Sequence, residues 1–446
     1  MKRIAPIPGS LALSLAAALA LALPAGALAT PSSIENSGKM LSGGGKSRNT
    51  NFSKLKVGDG RVLYLRFHVN SSWSGSNVLL SMDPSEGSSG IYVKKVKADW
   101  GSDDEAHDIS SYKTVSSLAG PALLSSVDSV VDMSSQLSAG RTYTLKVWAR
   151  SGTVRSSLPE LVRSTPTPVA AVGDIACPTS SSQWNGGQGT ATRCGQASVA
   201  GLVAGSDEKV LLLGDNQYSS GTLADYQSAF ALSWGSLASR LRPVPGNHEY
   251  YTADAAGYFD YFASAGSPTG DRGAGWYAYD SGNWRILALN SNDACTVVAC
   301  DAGSAQEQWL RSELTQARAA GKCTLAYWHH PRASGGGHGD QSSVAALWKA
   351  MYELGGDVVL SGHDHHYQRF DPLDADAQPA GDGPRQWVVG TGGYSFYPAI
   401  ARSGSAKIIT DTFGLLRLTL SGSSYAWQWA GVAGAGSDTG SASCRA

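Results

Sequence analysis

Five short segments of this chain share one construction, and that construction narrows the folds open to it. They read Gly173-Asp174-Ile175-Ala176, Gly214-Asp215-Asn216-Gln217-Tyr218, Gly246-Asn247-His248-Glu249, His329-His330-Pro331 and Gly362-His363-Asp364-His365. Each is a turn carrying side chains that bind metals. Apolar runs lie among them at Val169–Val172, Val210–Leu213, Ile286–Leu289, Leu325–Trp328, Val358–Leu360 and Trp387–Val389. Runs this short and this apolar suit strands buried on both faces. Ala224–Leu241 and Gln306–Ala320 have helix-like composition and length. Strand alternating with helix implies an α/β fold with a layered β-sheet core flanked by helices. Ligands of such folds gather outside the carboxyl ends of strands. Five dispersed turns are therefore expected to converge on one pocket.

The chain before these segments has a different texture. Met1-Lys2-Arg3, an apolar run from Leu11 to Leu23, and Ala27-Leu28-Ala29 describe a secretory signal peptide cleaved near Ala29. The apolar run is short of the roughly 20 residues that a spanning helix needs, so no membrane association is expected. Ser37 to Asn51 reads as a flexible lead. Its Gly43-Gly44-Gly45-Lys46-Ser47 is not a phosphate loop, because Met40 stands where the first glycine is required. From Arg61 to Val162, short alternating segments separated by Ser/Gly turns predict an all-β sandwich. Ser164-Thr165-Pro166-Thr167-Pro168 reads as a stiff linker. The expected organisation is a signal peptide (1–29), a β-sandwich accessory domain with its lead (30–165), and a catalytic α/β domain (166–446). Trp73, Trp100 and Trp148 could form a sugar platform in the accessory domain, or simply its core.

Export makes disulfides the expected state of the six cysteines. Six allow 15 pairings. The short spacings invite Cys177 with Cys194 and Cys295 with Cys300, which would leave Cys323 to Cys444. A zinc cluster is the rival, but the chain has no C-x-x-C pair. Lys and Arg number 35 against 36 Asp and Glu, a net charge of −1. There is no basic field to hold nucleic acid, and a small-molecule partner is expected.

The donor set itself limits the chemistry. Imidazole with carboxylate and amide oxygen suits zinc, iron or manganese. So many donors exceed one ion. Two ions about 3.5–4 Å apart, sharing a carboxylate, use such a set fully. The five motifs resemble those of the calcineurin-like metallophosphoesterases, and within them the purple acid phosphatases: D-x-G, G-D-x-x-Y, G-N-H-[DE], V-x-x-H and G-H-x-H, in this order. The likeness covers roughly Pro168 to Trp429. Ala176 replaces the family's glycine and Ala326 its valine; neither change removes a donor atom.

The resemblance implies a metallophosphoesterase-like fold with two metal ions, iron paired with zinc, manganese or iron. It implies Asp174, Tyr218 and His365 on the first ion, Asp215 bridging, and Asn247, His329 and His363 on the second. Of the two adjacent histidines, His329 is chosen because the family's ligand sits two residues before a proline. His248 and His338 would face the substrate, while His330 and His366 would be structural. Arg332 and Arg369 could clamp phosphate or simply pack. The implied activity is that of a secreted phosphomonoesterase in which a metal-held hydroxide attacks phosphorus. A phosphodiesterase of the same fold is one alternative. A non-catalytic wall- or glycan-binding protein with a vestigial metal site is another. A serine-hydrolase elbow, G-x-S-x-G, is absent.

Overall fold

The computed structural model describes residues 166–434 and 436–445, preceded by separate strands between Lys39 and Ser164 and a few residues beside them. The expected signal peptide lies outside the described residues, as do Trp73, Trp100 and the side chain of Trp148. Among the earlier strands, Arg61–His68, Thr142–Ala149 and Ile91–Val96 pair antiparallel, as do Val130–Asp132, Asn77–Ser81 and Glu160–Ser164. The expected linker is shorter than its sequence suggests, since Ser164 ends one strand and Thr167 opens the next.

From there the chain builds two sheets. The strands are β1 (Thr167–Val172), β2 (Lys209–Leu213), β3 (Leu241–Val244), β4 (Tyr277–Ser281), β5 (Trp284–Ala288), β6 (Cys323–Tyr327), β7 (Val358–Ser361), β8 (Tyr367–Phe370), β9 (Arg385–Val389), β10 (Ser405–Ile409), β11 (Gly414–Leu420), β12 (Ser424–Gly431) and β13 (Thr439–Ser443). One sheet runs β3-β2-β1-β11-β12-β13 and the other β4-β5-β6-β7-β9-β8-β10. Within them β1, β2 and β3 are mutually parallel, and so are β5, β6, β7 and β9.

Side-chain alternation along each strand decides which layer it feeds. Val169, Ala171, Leu211, Leu213, Leu325 and Tyr327 point into a core between the sheets. Their neighbours Ala170, Val172, Val210 and Leu212 face the segment 223–240 and α2 (Ala256–Ser264), with α1 (Gln196–Gly201) beside them. Ala326, Trp328, Val359 and Val388 face α3 (Ala305–Ala319) and α4 (Ala345–Glu353). Two sheets are thus sandwiched between helices, and both faces of the central strands are dry. That is why those strands read as unbroken apolar runs.

The expected helix Ala224–Leu241 is corrected. It breaks into Leu223–Asp225, a π turn at Tyr226–Phe230, Ala231–Trp234 and a 3-10 turn at Gly235–Arg240, and Leu241 begins β3. The cause lies partly in Gln217, whose side-chain oxygen accepts the Phe230 N–H at 3.0 Å and competes with the helical ladder. Three disulfides form: Cys177–Cys194, Cys295–Cys300 and Cys323–Cys444.

Asp357, just before β7, is buried and accepts hydrogen bonds from Thr324 N and Arg445 N. Burial pushes its carboxyl up from 3.8 to about 6. Between those values the folded chain binds more protons than the unfolded one. The contribution of this group is therefore complete below the lower value and lost as pH rises through the upper, about 3 kcal/mol in all. Urea unfolding of wild type and Asp357→Asn at pH 4.5 and 7 should show about 2 kcal/mol less decline in the variant. Parallel pH profiles would remove Asp357 as the cause.

Candidate metal centre

The turns that follow β1, β2, β3, β6 and β7 carry the expected donors, and the backbone of several is left-handed. Asp174 has φ 61°, Asp215 48° and His363 72°. Such conformations cost roughly 1–3 kcal/mol each in a non-glycine residue and persist where surrounding bonds impose them. Here Asp174 N donates to the Gly214 carbonyl, and Asp174 Oδ2 accepts from His363 N at 2.9 Å. Glycine is required between them for space. At Gly214, with φ 89°, a Cβ would lie 2.6 Å from the His329 ring; at Gly362 it would meet Asp174 Oδ2 at 2.5 Å.

These turns bring all seven expected ligands together. Tyr218 Oη lies 3.0 Å from Asp174 Oδ1, from Asp215 Oδ2 and from His365 Nε2. His329 Nε2 lies 3.2 Å from Asn247 Oδ1, 3.2 Å from His363 Nδ1 and 3.4 Å from Asp215 Oδ2. Asp215 belongs to both groups. Donor atoms of Asp174, Asp215 and His329 all fall within 4.8 Å of one another.

The chemistry of this set tests whether cations fit. His329 Nδ1 faces the Leu213 carbonyl at 2.8 Å, so it must be the donor there. In the neutral ring Nε2 is then a lone pair, and it faces two further oxygens and a second imidazole nitrogen. Asn247 spends its amide protons on Tyr251, turning Oδ1 to the same point. Around Tyr218, one hydroxyl proton cannot serve both carboxylates. Buried lone pairs aimed at each other are costly unless positive charge sits between them. The protein's own groups express that demand. Burial lowers the His329 pKa, yet the charges of Asp215 and Asp174 overcome it and raise the ring to about 9. Burial opposes ionisation of Asp215 too, but His329 holds it well below the carboxylate range. Burial and His329 together keep His363 neutral. The set therefore fits metal ions, with Asp174, Tyr218 and His365 on one side, Asn247, His329 and His363 on the other, and Asp215 between.

The two expected substrate-facing histidines flank this cluster. His248 packs its ring 4.3 Å from that of Tyr218 and directs Nδ1 at the Ser219 carbonyl, 2.6 Å away. Its Nε2 stands 3.8 Å from Asp215 Oδ2. The His338 ring lies 4.3 Å from His363 on the opposite flank. Its loop is rich in glycine, yet it is anchored. Asp364 accepts from His338 N and from the Ser334 hydroxyl, and Gly335 N donates to Gln368. His330 contacts Ser291 and His366 contacts Gln368. Arg369 pairs with Asp438 and lies over Trp427, while Arg332 reaches the Asp376 carbonyl.

Sequence reasoning missed four contributors. Glu249 accepts from the backbone N–H of Asp215, Asn216, Gln217 and Gly246 and from Tyr226 Oη, fixing the bridging turn from behind. The segment after β9, Gly390 to Tyr397, supplies the rest. Tyr394 stacks on Tyr218 at 3.5 Å, Ser395 Oγ meets His365 Nδ1 at 2.9 Å, and Tyr397 stacks on His365 at 3.9 Å. Its Gly-Thr-Gly-Gly after an apolar run was the available signal. Ala176 is accommodated because its backbone φ is not positive, so the turn has no need of glycine.

Residues 167–367 match the model of the calcineurin-like phosphoesterase family. An uncharacterized protein of Mycobacterium tuberculosis is 27% identical over 197 residues, which is 40% of this chain and 34% of that protein. Purple acid phosphatase 15 of Arabidopsis thaliana is 26% identical over 230 residues, 44% of this chain and 42% of that protein. The matched stretch thus spans well under half the length of these curated relatives. The solved purple acid phosphatase PPD1 from yellow lupin seeds shares the fold, with a TM-score of 0.51 at 16% identity over 86% of this chain and 72% of that one. Residues 167–367 thus match the calcineurin-like phosphoesterase family, and part of this chain is similar to purple acid phosphatases.

Proposed function

We propose that this chain is an exported two-metal phosphoester hydrolase, acting most simply on monoesters. One observation carries the reading: donor atoms from five strand-end turns face one another around a shared carboxylate, Asp215. When bound, two ions in such a set supply charge to a phosphoryl group and acidify water, and iron with zinc, manganese or a second iron suits these donors. The chain's own residues do the remaining work. Asp174, Asp215, Asn247 and the three histidines hold the charge in place, and burial keeps bulk water from competing. His248 and His338 stand beside the cluster, where a protonated imidazole can donate to the phosphoryl group or to the leaving oxygen. A vestigial site fits poorly, because every expected donor is present.

Export rests on the leader at residues 1–29 and on three disulfides, which suit an oxidising compartment. Among the described residues no helix is long and apolar enough to cross a membrane. The domain division at 165/166 is part of the same proposal, with residues 30–165 as an accessory domain open to glycan contact.

The test joins substrate class to mechanism. Aryl mono- and diesters are compared first, and a clear diester preference would move the reading to a phosphodiesterase. His248→Ala and His338→Ala should then keep their metal and lose roughly 10²–10⁴-fold in turnover of phenyl phosphate. The loss should shrink for nitrophenyl phosphate, whose leaving group needs little protonation. Equal losses on both esters would exclude the acid role.

A further inference from the structure

We infer that Tyr397 is a further substrate-binding residue of this site, its phenol donating a hydrogen bond to a phosphoryl oxygen of the bound ester. The inference rests on the phosphoester reading above and adds a residue that the five motifs do not contain.

Tyr397 sits on the segment that follows β9, held by its own N–H to the His365 carbonyl. Its ring lies flat on the His365 imidazole, 3.9 Å away with only 9° between the planes. On its other flank stands His338, 5.6 Å away. The ring therefore bridges a proposed metal ligand and a proposed substrate-facing histidine. The side chain is only part-buried, unlike Asp174, Asp215 and His329, so it borders the open side of the cluster.

The hydroxyl has no protein hydrogen-bond partner among the described residues. Two nearby hydroxyls already donate elsewhere: Tyr218 to the carboxylates and Ser334 to Asp364. Two arginines are paired with carboxylates and a third reaches a carbonyl: Arg369 with Asp438, Arg402 with Asp340, and Arg332 with the Asp376 carbonyl. Each phosphoryl oxygen can accept more than one hydrogen bond, so two ions and the flanking histidines leave acceptor capacity for a further donor. An uncommitted phenol at the edge of the cluster is a donor at neutral pH and matches that need.

The ring and the hydroxyl are separable. Tyr397→Phe keeps the stack on His365 and removes only the donor, while Tyr397→Ala removes both. In the full chain, Tyr397→Phe should retain wild-type metal content by elemental analysis. Its kcat/KM for phenyl phosphate should fall about 10–100-fold, the scale of one hydrogen bond to a charged oxygen. Inhibition by inorganic phosphate should weaken by a similar factor. Tyr397→Ala should lose metal in addition. A Phe variant equal to wild type in both kinetic readouts would reduce Tyr397 to packing. Loss of metal in the Phe variant would make it a positioning residue for His365 instead, and would also overturn the inference. If wild type itself hydrolyses no phosphoester, the function proposed above is what fails, and this inference falls with it.

Discussion

Asp215→Ala is expected to strip the protein of both metal ions and to cut phosphoester turnover by on the order of 10³-fold or more. Among the described residues, the Asp215 carboxylate contacts both halves of the cluster. Oδ2 accepts from Tyr218 and stands 3.4 Å from His329 Nε2, while Oδ1 accepts the His248 N–H at 2.9 Å. Its removal leaves the His329 side with a neutral oxygen and imidazoles alone, and opens the Tyr218 side as well. Asn247→Ala removes a donor from one side only and should lose mainly one ion. The comparison separates a bridging carboxylate from an ordinary ligand. Full metal occupancy with near-normal turnover in Asp215→Ala would end the bridging assignment.

Glu249→Ala should produce the largest loss of stability from a single residue at this site. Its carboxylate is fully buried and accepts four backbone N–H groups and the Tyr226 hydroxyl. Burial, reinforced by the charge of Asp215, raises its pKa to about 6, so it binds in a site that already resists charge. Each buried donor left without an acceptor costs about 1–3 kcal/mol, and water entering the gap recovers part of that. A net loss of about 3–5 kcal/mol follows, equivalent to roughly 10 °C in Tm for a domain of this size. Glu249→Gln keeps the volume and some acceptors and should lose less. Calorimetry in the presence of chelator isolates folding from metal binding. A Tm for Glu249→Ala within about a degree of wild type would show that the bridging turn holds itself.

The parts legible in the sequence were those whose residue identity carries the physics. Val169–Val172 and Leu325–Trp328 are apolar on both faces, so they stand out as buried strands without any knowledge of their partners. Aspartate, asparagine and histidine in strand-end turns carry ligand chemistry wherever they sit. Other strands hid for equally physical reasons. β3 reads Leu-Arg-Pro-Val, and Arg242 and Pro243 break its apolar run. β12 alternates buried Tyr425, Trp427 and Trp429 with the more exposed Ala426 and Gln428, a period-two pattern that a search for unbroken runs passes over. Glu249, Asp364 and Tyr397 were illegible in a stronger sense. Their roles depend on which backbone N–H or which ring the fold brings against them, and neighbouring residues in sequence do not encode that. The His338 loop is the same lesson reversed. Its glycines suggest mobility, whereas Asp364 and Gln368 pin it.

The central claim is that these donors hold two ions that hydrolysis requires. Elemental analysis of the purified full chain, with phosphate release measured on the same sample, tests it most directly. Two metal equivalents per chain are expected, with activity lost on chelation and restored on adding metal back. Undiminished phosphate release from protein with fewer than one equivalent would contradict the account.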